Sequence, residues 1–204
     1  VLVIDPSTQM PVGFSSVILW NRQWDKNNRH ERQYRKLDIT EKESNRWITS
    51  ALKSKESLSE ADSITIIADR ECDIYEMFAA VPDSRTHLLI RANIDRTTSE
   101  GIRLSQKLSS SPVRSVYEFE VPAGKNRTKH TAKMSLKWEK VKISHPKNTP
   151  RKDGRPVYVE LTAIEATELA ESVKKGEDPV SWKLLTTHSV RNASDALKCI
   201  EWYS

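Results

Sequence analysis

Five consecutive residues, Ile64-Thr65-Ile66-Ile67-Ala68, are all apolar or β-branched, and they run directly into Asp69-Arg70-Glu71-Cys72-Asp73. A short unbroken apolar run of this kind marks a central strand covered on both faces, which demands helices around it. The flanking sequence supplies them. Asp73 can cap a following helix that buries Ile74, Met77, Phe78 and Val81 and stops at Pro82. His87-Leu88-Leu89-Ile90-Arg91 reads as a further strand. Upstream, residues 1–5 form a buried-strand pattern, and residues 12–20 a second β run. The string Asp5-Pro6-Ser7-Thr8 joins them as the turn of a long hairpin. Residues 25–39 are polar, without period, and read as a loop. Thr40-Glu41-Lys42-Glu43 reads as a capping box that opens a helix with Trp47, Ile48, Ala51 and Leu52 on one face. The order β-β-α-β-α-β predicts an α/β fold.

Beyond Thr97 the pattern changes. Residues 115–121, 131–143 and 156–164 alternate as strands do, and the loop over 145–156 between them is expected to be mobile. Residues 165–178 read as acidic and irregular, with room for one helical turn, and 182–187 as another strand. From Asn192 onward, Ala193, Ala196, Leu197 and Ile200 follow helical spacing. The economical division is a core over 1–98 and 188–204, interrupted by a basic β-rich insertion over 99–187.

Charge is distributed unevenly. Residues 114–155 hold 12 Lys or Arg against 4 Asp or Glu, a surplus of +8. The whole chain carries +5, so the remainder sums to −3. A basic block within a slightly acidic protein points to a polyanionic partner, most often nucleic acid; lysines protecting an exposed strand edge give the same pattern. Lys129, Lys133 and Lys137 fall on one face of a strand with Thr131 and Ser135, a basic stripe to which Lys125 and Arg127 add. No apolar run approaches the ~20 residues that span a bilayer, so no membrane partner is expected. Cys72 and Cys199 lack zinc or disulfide spacing, which fits a reducing, cytoplasmic setting.

An acid at the C-terminal end of a central strand is where α/β enzymes place metal ligands. Asp69 is that residue; the plainer alternative is that it only caps the helix after it. The full string Asp69-Arg70-Glu71-Cys72-Asp73-Ile74-Tyr75 closely resembles the D-R-E-x-D-I-Y motif around the second catalytic aspartate of DDE transposases of the insertion-sequence-four family. Other segments are similar in the same order. Asp5-Pro6-Ser7-Thr8 through Trp24 looks like the family's strand pair, and Glu41-Lys42-Glu43-Ser44 with Trp47 its E-K-E-S-x-x-W helix. Leu88 to Arg91 looks like the strand after the second acid. Lys175-Gly176-Glu177-Asp178-Pro179 with Trp182, Leu184, Leu185 and Thr186 resembles its K-G-E-x-P…W-x-L-L-T segment.

The resemblance implies a ribonuclease-H-like core, truncated at both ends here, with a β-rich insertion. It also implies metal-dependent phosphodiester hydrolysis and strand transfer in cut-and-paste DNA transposition. Two Mg²⁺ (or Mn²⁺) ions would be held by two Asp and one Glu, with Asp69 as the middle ligand. The first Asp is expected before Val1. Tyr203 matches the Tyr of the family's Y-x-x-R-x-x-x-E pattern, so the Arg and Glu are expected after Ser204. Asp5 also ends a strand, but its Pro-Ser-Thr context assigns it to a turn. DNA contacts implied by the motifs are Trp182, stacking near a flipped base or else simply a core tryptophan, and Tyr203 on a phosphate. Arg70 and Arg91 are candidate phosphate ligands, or else surface ion-pair partners. The partners implied are double-stranded transposon ends and target DNA, bound by a homodimer in a bacterial nucleoid. Two alternatives remain: another ribonuclease-H-like nuclease, and a non-catalytic nucleic-acid-binding module.

Overall fold

The computed structural model describes residues 1–21, 37–124, 127–147 and 154–204. It is a mixed α/β chain. In order it contains β1 (Leu2–Asp5), β2 (Met10–Phe14), α1 (Asn45–Ser57), β3 (Ile64–Ala68), α2 (Tyr75–Ala80) and β4 (Thr86–Arg91). Next come α3 (Leu104–Ser110), β5 (Ser115–Val121), β6 (His130–Ser144), β7 (Tyr158–Glu168), β8 (Ser181–Thr186) and α4 (Ala193–Tyr203). β1 and β2 make a sheet of their own, and the other strands form a mixed six-stranded sheet in the order β3-β4-β8-β7-β6-β5. Two compact units divide the chain: 1–66 with 74–87 and 145–157, and 67–73 with 88–144 and 158–204. No helix of the described residues is long and apolar enough to cross a membrane.

In the first unit the Asp5 turn forms as expected. The Ser7 backbone N–H donates to the Asp5 carboxylate at 2.9 Å, and Gln9, at φ 56°, closes the turn onto the Asp5 carbonyl at 2.8 Å. Those Ser7 bonds hold the Asp5 carboxyl below its usual range. Three expectations are corrected in this unit. β2 ends at Phe14 instead of Trp20. Leu2, Ile4, Met10, Val12 and Phe14 are exposed, because a two-stranded ribbon cannot bury apolar side chains on both faces. The capping box is Asp38 with Glu41 on a 3₁₀ turn, Ile39–Glu41, and not Thr40 with Glu43. A short polar Asp one residue before an apolar position reaches the Thr40 amide, at 2.9 Å, more readily.

α1 starts at Asn45 and buries Ile48, Ala51 and Ser54, while Leu52 is exposed. Serines fasten the hairpin's end to this helix: the Ser15 hydroxyl donates to the Ser54 hydroxyl at 2.9 Å, and the Ser57 hydroxyl to the Ser15 carbonyl at 3.0 Å. The polar loop read at 25–39 falls largely, and the basic tip of 145–156 partly, outside the described residues, as do Trp24 and Lys125.

The second unit is built around the curl of its sheet. β4–β8, β8–β7, β7–β6 and β6–β5 are all antiparallel. One face carries Phe119, Ala132, Met134, Leu136, Ile164, Ala166, Trp182, Leu184 and Leu89, since cross-strand partners share a face. Strands β5 and β8 stand three spacings apart, which on a flat sheet is about 14 Å. Yet the rings of Phe119 and Trp182 meet edge to face at 4.9 Å. The sheet therefore rolls over, and Ala196, Cys199 and Ile200 of α4 pack into the same apolar cluster. Asn192 caps α4 by accepting the Asp195 amide at 2.9 Å. Residues 165–168 continue β7 instead of turning irregular, because Glu165 and Ala166 pair with Lys183 and Trp182.

Inside the curl lies an ionic pair. His130 Nε2 stands 2.9 Å from Glu168 Oε1, and Nδ1 stands 2.9 Å from the Thr128 carbonyl. A neutral imidazole has one donor, so two acceptors call for the imidazolium. The Thr128 carbonyl first, then Glu168, raises the His130 pKa from 6.5, against desolvation. Burial pushes Glu168 upward, but the Val180 amide, His130 and Ser172 outweigh it and lower its pKa. For His130, stabilisation is complete below 6.5 and is lost as pH rises through the raised folded value; for Glu168, it is lost as pH falls through the lowered one. The thermal midpoint is thus expected to decline as pH rises through the raised His130 value, and His130→Gln to flatten that decline. Parallel wild-type and variant profiles between about pH 5 and 9 would remove the pair from the pH dependence.

Candidate active site

β3 delivers Asp69. The backbone leaves the strand still extended there (φ −80°, ψ −178°) and then tightens into a 3₁₀ turn over Arg70–Cys72, with the Cys72 amide donating to the Asp69 carbonyl at 2.9 Å. The Asp69 side chain makes no capping bond to that turn. It is exposed, and its Oδ1 accepts the Tyr203 hydroxyl at 3.3 Å across 134 residues of chain. The Arg70 backbone N–H beside it, the Tyr203 hydroxyl and the charges of Arg91 and Arg70 together hold its carboxyl below the usual range, against a desolvation cost. Asp69 is therefore ionised at neutral pH. Burial raises the Tyr203 phenol, with an Arg91 hydrogen bond pulling the other way, so the phenol keeps its proton for Asp69.

Tyr203 arrives here because α4 presents Ala196, Cys199, Ile200 and Tyr203 along one stripe, packed in the curl. Arg91 arrives because it ends β4 opposite Leu184, on the same sheet face. Beside them an open polar depression of about 210 Å³ is lined by Arg70, Arg91, Ala92, Asn93, Ser181 and Lys183. Four residues singled out in the sequence, Asp69, Arg70, Arg91 and Tyr203, thus converge. Trp182 shares the sheet face of Leu184 and so of Arg91, and its partly exposed ring meets Phe119 edge to face.

The lysine stripe is elsewhere. Lys133 is paired with Glu171 at 2.9 Å, and opposite it on β5 stands Glu118. Lys137 donates to the Leu108 carbonyl at 3.2 Å, lies 4.0 Å from Glu165 and is 18% exposed in its side chain. Lys129 is exposed. Only an open ammonium can shed counterions onto a phosphate. If the polyanionic partner predicted from the charge is DNA, Lys129→Gln is expected to lower the salt slope of its binding by about one unit, and Lys137→Gln to leave it unchanged. Equal effects of the two would mean that the lysine pairs open on DNA.

One set of residues escaped the sequence reading. Asp73 does not cap α2, whose N-cap is Ile74 with no side-chain bond. Its buried carboxylate instead accepts the Asn93 and Ile94 backbone N–H groups on Oδ2, each at 2.8 Å. On Oδ1 it accepts Arg96 Nε at 2.8 Å and a terminal guanidinium nitrogen at 2.6 Å. Every lone pair of a buried charge is so answered, where a cap would leave the carboxylate half in water. Its apolar neighbours, Cys72 and Ile74, were the available hint.

No protein-family model matches the chain. Among the described residues, no three His, Cys, Asp or Glu converge on a metal position. Asp69, ionised, exposed and at a strand end, suits one carboxylate ligand of a divalent cation, and no complete centre is formed by the described residues alone.

Proposed function

We propose that this chain is part of a DNA transposase of the insertion-sequence-four type, with Asp69 as one of its metal-binding acids and a ribonuclease-H-like arrangement of β3, β4 and their helices. The observation that carries this reading is the hydrogen bond from Tyr203 to Asp69 on the second unit, next to the depression lined by Arg70 and Arg91, residues picked out by separate motifs. A magnesium ion bound with the help of Asp69 would supply activation of an oxygen nucleophile at a phosphodiester. The chain's own residues do the rest. Asp69 stays charged, the Tyr203 hydroxyl orients its carboxylate, and Arg70 and Arg91 offer cations along an open depression where a DNA phosphate can lie.

The test uses the protein in its natural length with double-stranded DNA bearing the ends of its own element. Cutting at those ends with Mg²⁺ or Mn²⁺, and none with Ca²⁺, is expected. Binding without cutting in any of the three would favour the non-catalytic alternative. Cutting indifferent to the ends would favour a general nuclease.

A further inference from the structure

We propose that Asp73 and Arg96 are positioning residues for the site, a buried brace that fixes Asp69 relative to Arg91. The carboxylate of Asp73 lies four residues after Asp69 and is wholly buried, as is nearly all of Arg96 (side chains 0% and 5% exposed). Through Asn93 and Ile94 it holds the backbone immediately after Arg91, and through Arg96 it holds the chain further on. Arg96 closes the clasp by donating from a terminal nitrogen to the Asp73 carbonyl at 2.6 Å as well. The Arg96 carbonyl in turn accepts the Leu104 amide at 2.8 Å, which anchors the brace to α3.

The segment after β3 and the segment after β4 are in this way tied by one carboxylate. The Asp69 carboxylate, which accepts the Tyr203 hydroxyl, and Arg91, whose charge acts on that carboxylate, stand at the ends of β3 and β4, where those tied segments begin. A helix cap would serve α2 only; this arrangement serves the distance between an acid and a cation. Where chemistry depends on such a distance, a misplacement of about 1 Å costs about a hundredfold in rate.

The role in catalysis rests on the transposase reading, so the test carries one readout that does not. Asp73→Ala with Arg96→Met removes both charges together, so no buried ion is left unpaired; Asp73→Asn keeps an acceptor for the two amides. The chain is labelled at the Cζ carbons of its five tyrosines, and Tyr203 is assigned with Tyr203→Phe. Tyr203 is expected to shift its resonance in the double variant, and less in Asp73→Asn, though it bonds to Asp69 and not to either altered group. In the natural-length protein, DNA cutting is expected to fall about a hundredfold in the folded double variant and to be partly restored in Asp73→Asn. An unmoved Tyr203 signal in a folded variant overturns the brace whatever the protein cuts. Unchanged cutting overturns its part in the reaction. If the wild type cuts nothing, the function reading fails alone, and the Tyr203 signal decides the brace.

Discussion

On the transposase reading, Asp69→Ala is expected to lower DNA cutting about a thousandfold, the upper end of what a single lost electrostatic partner costs a transition state. The carboxylate is exposed and kept ionised by its neighbours, so its removal takes away a charge without opening a cavity. Folding should be untouched. DNA binding should hold or strengthen, because a negative charge leaves a surface otherwise furnished by Arg70 and Arg91. Asp69→Asn separates two contributions: it still accepts the Tyr203 hydroxyl but carries no charge. It should cut as poorly as the alanine variant, while Tyr203→Phe, which spares the charge, should lose far less. The measurement is the rate of end cleavage at saturating DNA. Cleavage by Asp69→Ala within tenfold of wild type would remove this residue from the site.

Asp73→Ala alone should be the most destabilising single change in the second unit. It takes the carboxylate away from a buried guanidinium and from two backbone amides. Breaking one side of a buried pair costs about 3–5 kcal/mol, against roughly 1 kcal/mol for an average substitution. For a unit of this size that corresponds to a drop of roughly 10–20 °C in its thermal midpoint. Arg96→Met added to it should recover part of the loss, because the stranded cation goes. Hydrogen exchange at the Asn93 and Ile94 amides localises the effect: slow in the wild type, fast in the variant. A loss below about 1 kcal/mol, with those amides still protected, would show that water enters freely and that the pair is ornamental to stability.

These two acids also show what could be read from sequence. Asp69 was legible because a strand end is a local feature and the D-R-E-x-D-I-Y string is contiguous. Tyr203 and Arg91 were legible by motif, and the structure brings both to Asp69. Asp73 was not, because its partner lies 23 residues away and nothing local announces a buried ion pair. An Asp ahead of a helix reads as a cap by default. Local rules failed in the same way at Thr40, where Asp38 competed for the same amide, and at Leu52, which helical spacing placed inside but which is exposed. α3 was missed because Leu104 and Leu108 are its only buried apolar positions, too few to establish a period. The lysine stripe was visible on β6; the glutamates that answer it come from β5, β7 and the following loop. The curl, finally, was invisible, because it is a property of six strands together and of no one of them.

That curl has a kinetic consequence. The unit that curls is tied by contacts remote in sequence: the Leu88 amide meets the Thr187 hydroxyl across 99 residues, and Tyr203 meets Asp69 across 134. Such loops must be closed before the contacts beyond them give anything back, and chains dominated by them are slow folders. The hairpins β5–β6 and β6–β7 are local and can form early; the seating of β8 against β4 must wait for them. Asp69 is thus synthesised long before it has neighbours. During translation, and in any refolding experiment, the Tyr203–Asp69 contact should be among the last native interactions to appear, so that the site comes into being only when the whole second unit has closed.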